Sequence, residues 1–407
     1  MAYIIPFVNQ KNLHFMALVS KEISERRGKT IVHHYVSIRL KDLSSDRISL
    51  PLPISIVTDA WLGKKTSTIY QNTAKFATFL NYVYFEVKHP IDNIFDVTPP
   101  MVLDFFRSIS KSSGYSYVFA MERTITKALY TLTTRNMLTH FNQNNFILSS
   151  NNSRPIIYLL DIHNKYAMPR KRPKNILHDI KPEIAFLLLD LAQFYTPAIA
   201  LGIYFQIFGG LRSSEVVSLE YSDIHYHIGT NIPVMTLTIA DKDLRPDLSS
   251  AFIYQAKKNR KQQIFIIPEL FDQIYEMNRR RTANSNSNAV FIDRYGRPIT
   301  VKSYSKQFQR LKKILIDKLL ETGDVDSMLY ANVLRSKNWG THIGRGVFSN
   351  IVANNSNTAY DIAVLRGDSS FDSALPYTEN TESVRKKISD ALESMYRGHK
   401  YEETNKS

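Results

Sequence analysis

The chain has 407 residues, with 52 Lys and Arg against 37 Asp and Glu, and a formal charge of +15. Its 43% hydrophobic content is ordinary, so it can fill real cores, and its length predicts two or three domains. The charge excess favours a polyanionic partner, nucleic acid ahead of a membrane surface. The lack of cysteine excludes disulfides, thiolate catalysis and zinc sites built on Cys. The first twelve residues do not read as a signal peptide. The longest apolar stretch, 197–210, is too short to span a bilayer and contains Gln206, so it is expected to be a buried core helix.

Residues 1–58 alternate apolar and polar positions in short runs, such as Ile31 to Val36, broken by Ser44, Ser45, Asp46, Pro51 and Pro53. They predict short strands and loops, serving either as a small DNA-contacting module or as an extension. From 59 to 147 the period turns helical. A helix starts at Thr66, with Ile69, Phe76, Phe79, Leu80 and Tyr82 on its apolar positions. Two more helices are expected over 100–110 and 115–137, the last carrying Arg123, Lys127 and Arg135. Lys64 and Lys65 precede the first. Residues 148–180 have linker composition: a polar Ser-Asn stretch, then Arg170, Lys171, Arg172 and Lys174 between prolines. Such a connector either lies along a phosphate backbone or is simply solvated.

Residues 181–407 predict an α/β domain. Helices are expected over 182–195, 197–208, 269–281, 303–321 and 341–353, with strands over 234–239 and 263–267. The segment 241–252 has no assignment. Beyond it all, 382–396 reads as a helix with an apolar stripe of Val384, Ile388, Leu392 and Met395. That stripe either folds back on its own domain or docks on a neighbouring subunit.

Four pieces of this domain carry chemistry. In Gly209-Gly210-Leu211-Arg212-Ser213-Ser214-Glu215, a buried helix ends in two glycines and an arginine sits at the start of the next helix. Glu215, one turn on, can orient that arginine, whose fork suits a phosphate. In Ala256-Lys257-Lys258-Asn259-Arg260-Lys261, a basic turn leads into an apolar strand. His342 and Arg345 stand three apart near a helix start and share a face. Leu365-Arg366-Gly367-Asp368 is followed by Tyr377.

This ordered set resembles the tyrosine recombinase (phage integrase) family, which shows a Gly-Leu-Arg-x-x-Glu box, a hairpin lysine, a His-x-x-Arg box, a Leu-Gly-His-like turn and a nucleophilic tyrosine. A lone His-x-x-Arg, or one tyrosine among 23, carries nothing; the order and intervals do. The resemblance covers about 180–395, and by pattern alone the helical segment 61–145 resembles the family's core-binding domain. It implies a mixed α/β fold, mainly α, with a helical core-binding domain, a catalytic domain and a small N-terminal β-containing extension.

The resemblance also implies roles. Arg212 and Arg345 would neutralise the non-bridging oxygens of a scissile phosphate, with Glu215 supporting. Lys258, or its neighbour Lys257, would protonate the leaving 5′-oxygen. His342 would exchange protons or bind the phosphate. Tyr377 would attack and form a 3′-phosphotyrosyl bond. No metal or other cofactor is then needed. Lys64, Lys65, Arg123, Lys127, Arg170, Lys171, Arg172, Lys174, Lys257, Arg260 and Lys261 are the expected DNA contacts. The partner would be double-stranded DNA with specific sites, bound as a dimer or tetramer, and the setting a cytoplasmic, prokaryotic or phage mobile element. Two departures stand out. The usual His-x-Leu-Arg-His reads His342-Ile343-Gly344-Arg345-Gly346, which costs helix stability. Asp368 stands where the family has His or Trp, and an ionised Asp cannot donate to a phosphate. A recombinase-fold regulator that binds DNA without cutting is therefore the second reading, and a type IB topoisomerase-like enzyme the third.

Overall fold

The computed structural model describes residues 12–26, 29–149, 156–160, 162–171, 175–226, 234–240, 242–248, 259–355, 365 and 379–406. The chain is mixed α/β and mainly helical, with three small antiparallel sheets among the described residues. It divides into two units, Met1–Pro173 and Lys174–Ser407, each around its own apolar core.

In the first unit, β1 (Leu13–Arg26) and β2 (Lys29–Asp42) form one long antiparallel hairpin, extended by β3 (Ile48–Ser49). The sequence predicts several short strands here, and the difference has a simple cause. Strand length here is set by pairing across the hairpin, from Leu13 opposite Asp42 to Arg26 opposite Lys29, which alternation within either run does not show; among the side chains described, Phe15, Ala17, Ile38 and Leu40 alternate inward and Tyr35 is exposed. After a one-turn helix, α1 (Leu52–Ser55), come α2 (Thr66–Asn81), α3 (Pro99–Ser112) and α4 (Tyr115–Thr134). Asn81, buried at the end of α2, accepts from the Phe15 N–H at 2.6 Å and donates to the Phe15 carbonyl at 2.9 Å. The hairpin is thereby stitched to the helices, and its apolar residues share their core.

The polar stretch after residue 148 lies in this unit too. Strand β4 (Phe146–Ser149) pairs with β5 (Ile156–Leu159), and Leu159 and Ile162 are buried in the same core. Buried Glu122 on α4 accepts from the Tyr166 hydroxyl at 2.9 Å and contacts His163 Nδ1 at 3.0 Å, holding the chain as far as Tyr166.

In the second unit, α5 (Pro182–Tyr195) and α6 (Pro197–Gly209) come first, each opened by a proline. Every residue of α6 from Ile199 to Gly209 is buried, as its uniform apolarity requires. Its polar exception, Gln206, accepts from the buried Tyr304 hydroxyl at 2.8 Å. One-turn α7 (Ser213–Val216) leads to the antiparallel sheet β6 (Ile224–Tyr226), β7 (Val234–Ile239) and β8 (Arg260–Phe265), with Ile239 opposite Arg260. Tyr204 of α6 donates to the Phe265 carbonyl and accepts from the Ile267 N–H, which fixes β8 on the core helix. Then follow α8 (Pro268–Thr282), α9 (Val301–Glu321), α10 (Val325–Ser336), α11 (Ile343–Asn355) and α12 (Glu379–Lys406). Helix α10 has no counterpart in the sequence reading. Near residue 245 the chain is pinned by Lys242, which bridges Glu220 at 2.5 Å and Asp223 at 2.8 Å. Helix α12 lies on its own unit. Ile388, Leu392 and Tyr396 are in the core, Met395 packs against it, and His399 contacts Asp190 of α5 at 2.6 Å; the side chain of Val384 is outside the described set. Among the described residues, no helix is long and apolar enough to cross a membrane.

Candidate active site

The site of the second unit is built on one turn. Helix α6 must stop at Gly210, which takes a left-handed φ of +66° that only glycine adopts cheaply. Leu211 is buried and anchors the turn, so Arg212 is delivered to the N-cap position just before α7. Glu215 then folds back. Its carboxylate accepts from the Arg212 backbone N–H at 2.8 Å and from the Arg212 Nη1 at 3.0 Å.

A second guanidinium reaches the same carboxylate from the sheet. Arg260, the first residue of β8, donates Nη1 to Glu215 Oε1 at 2.5 Å and Nη2 to Oε2 at 3.0 Å. Its Nε donates to Gln262 at 3.1 Å. Buried Gln262 in turn donates to the Leu365 carbonyl at 2.7 Å, so strand β8 is tied to Leu365. The Glu215 side chain is 0% exposed and that of Arg260 11%. Burial pushes the Glu215 carboxyl up, but hydrogen bonding and charge from Arg260, then Arg212, outweigh it and hold the group below its ordinary value. Two guanidiniums on one carboxylate leave this triad with a net charge of +1.

The third arginine arrives from α11. Arg345 is 5% exposed and donates through Nη1 to the Gly210 carbonyl, two residues from Arg212. Its helix is held close by the two glycines that the resemblance leaves unexplained. A Cβ on Gly344 would lie 2.8 Å from Gln206 Cβ of α6, and a Cβ on Gly346 only 1.6 Å from the His178 carbonyl oxygen. Both are far inside contact distance, so the glycines let α11 approach two neighbouring backbones. His342, just before the helix, is exposed, and its carbonyl accepts from the Gly346 N–H at 3.1 Å.

The structure thus brings together Arg212, Glu215, Arg260 and Arg345. Arg260 enters as a brace on Glu215 rather than as the outward cation its position in a basic turn suggests; Lys261 beside it is exposed. Gln262 has no signal in the sequence, because its role depends on a partner 103 residues away. Lys257, Lys258, Asp368, Tyr377, Arg172 and Lys174 lie outside the described residues. No group of His, Asp and Glu able to hold a metal occurs among the described residues.

The first unit carries its own basic group. Arg123 and Lys127 are four apart on α4, so they share a face. Burial, and then the nearby charge of Lys64, hold the Lys127 ammonium below its ordinary value. Lys65, Arg170 and Lys171 are exposed.

No family model matches the sequence, and no curated protein matches it. Solved structures similar to the chain include the XerH site-specific recombinase bound to difH substrate, a pre-cleavage complex: 14% identity, 76% of each chain, TM-score 0.47. The Tn1549 transposon integrase (residues 82–397) in complex with circular intermediate DNA is 16% identical over 79% of this chain and 94% of that one, TM-score 0.48. A lambda integrase (75–356) dimer bound to a COC' core site is 10% identical over 80% and 90%, TM-score 0.46.

Proposed function

We propose that this chain is a site-specific DNA recombinase that cuts and rejoins DNA through a 3′-phosphotyrosyl intermediate. One observation carries the reading: Arg212 and Arg260 share the buried Glu215 carboxylate, and Arg345 of α11 bonds the Gly210 carbonyl two residues before Arg212. Fixed cations of this kind are what a phosphorane needs, because they stabilise developing negative charge without reorganising. Glu215 orients Arg212, and Arg260 braces Glu215.

On this reading the Tyr377 hydroxyl oxygen attacks phosphorus and its proton passes to His342. The bond from phosphorus to the 5′-oxygen breaks, and that oxygen takes a proton from Lys258 or Lys257. Arg212 and Arg345 hold the non-bridging oxygens. The phosphotyrosyl bond keeps the energy of the broken one, so religation needs no nucleotide. The partner is duplex DNA carrying specific sites, engaged by more than one copy.

The test is a nicked suicide substrate built on DNA selected by the protein from a random duplex pool. Wild type is expected to trap a covalent adduct, and Tyr377→Phe to bind equally well and trap none. Binding by both proteins with no adduct from either would instead establish the non-cutting regulator, the reading that Asp368 favours.

A further inference from the structure

We propose that α10 is a self-association surface, on which a second copy of this chain lays its own α10 antiparallel across a two-fold axis at Leu329. The helix has two apolar sides. Ala331 and Leu334, both 0% exposed, enter the core of the second unit. On the other side Val325 is 68% exposed, Met328 40%, Leu329 60% and Val333 41%. Their spacing of three, four and eight residues lines them along one stripe. A surface helix of a protein with this charge has no reason to show water such a stripe, and contiguous exposed apolar surface marks an interaction site.

The occupant follows from the self-complementarity of the stripe. A two-fold interface requires that residue i meet j wherever j meets i. Reversal about Leu329 lays Val325 on the partner copy's equivalent of Val333, and Leu329 on itself. Charge selects the same arrangement. Asp324 and Asp326 stand at the start of the helix, Arg335 and Lys337 at its end. Antiparallel docking sets each acidic start beside a basic end and opposes the helix dipoles favourably, whereas parallel docking sets like against like. DNA is excluded as the occupant, because the stripe itself holds no cation.

The chain lacks cysteine, so single-cysteine variants each report one contact. On mild oxidation Leu329→Cys is expected to form a disulfide-linked dimer. Val325→Cys and Val333→Cys are each expected to remain without a cross-link, because two copies of either position lie about 12 Å apart along the axis, past the ~7 Å Cα limit for a disulfide. Mixing those two variants is expected to give a cross-linked heterodimer. A Leu329→Cys variant that forms no cross-link, equal self-linking by all three variants, or self-linking by Val325→Cys and Val333→Cys alone would each overturn the proposal. Sedimentation equilibrium supplies a check free of cysteine: wild type is expected to self-associate, and Leu329→Asp, with unchanged circular dichroism, to lower the association constant by tenfold or more. Wild type that stays monomeric at every concentration, or association that Leu329→Asp leaves untouched, would overturn it equally.

Discussion

The two units hold their cations in opposite ways. In the second, Arg212 and Arg260 share the buried carboxylate of Glu215, so positive charge is fixed in place by an internal anion. In the first, Lys127 has Lys64 beside it, and its burial and that neighbour both disfavour its charge. The Glu215 arrangement preorganises; its geometry exists before any ligand arrives, at the cost of desolvating three ions. The Lys127 arrangement stores a small repulsion that an external anion would relieve. A site for chemistry needs fixed orientation, and a site that tracks a backbone needs only charge.

The sharpest way to break the comparison is to remove the internal anion. Glu215→Ala leaves a guanidinium that is nearly buried without its carboxylate. We expect a loss of roughly 3–5 kcal/mol in unfolding free energy, because breaking a buried pair strands the surviving charge. Urea denaturation followed by circular dichroism measures it, and a loss below 1 kcal/mol would mean that the triad is not the scaffold described here. Acid sharpens the same point. The folded Glu215 carboxyl titrates below its unfolded value, about 4.5. Its contribution is therefore complete above that value and disappears as pH falls through the lower, folded one. The stability gap between wild type and Glu215→Gln should be constant from about pH 7 to 5 and then narrow. A gap that widens in acid contradicts the assignment.

The next expected effect concerns Gly346. Alanine is the better helix former by about 1 kcal/mol. Yet its Cβ would meet the His178 carbonyl oxygen at 1.6 Å, and that atom is backbone rather than a side-chain end that can swing away. Overpacking of this kind costs about 1–3 kcal/mol or more. The steric term wins, so Gly346→Ala is expected to lower the thermal midpoint. A rise would show that the 178–179 backbone yields.

These residues also mark where the sequence stops being legible. The α6 box could be read because everything it does is local: a glycine ends the helix, an arginine opens the next, and Glu215 sits three residues on. Helices α5, α6, α8 and α9 were legible for the same reason, since their period is written within each segment. Gly346 was not, because its cause is a backbone 168 residues earlier in the chain. Helix α10 was missed because its inward residues, Ala331 and Leu334, are fewer than its outward apolar ones, which blurs the one-sided pattern that marks a surface helix. The β1–β2 hairpin was read as short strands because its length is set by pairing between the two runs, Leu13 opposite Asp42 to Arg26 opposite Lys29, and not by the pattern inside either.

The smallest expected effect on stability, and the one that separates the two kinds of cation, is at Lys127. Replacement by Gln removes a charge that burial and Lys64 both penalise, so folding should be unchanged or gain up to about 0.5 kcal/mol. If Lys127 neutralises a DNA phosphate, affinity nevertheless falls, and the slope of log binding constant against log salt should flatten by about 1. Lys127→Arg should keep the slope. A Gln variant that loses stability, or that binds DNA with the wild-type salt dependence, would place this lysine among structural residues and leave the contrast with the Glu215 triad unsupported.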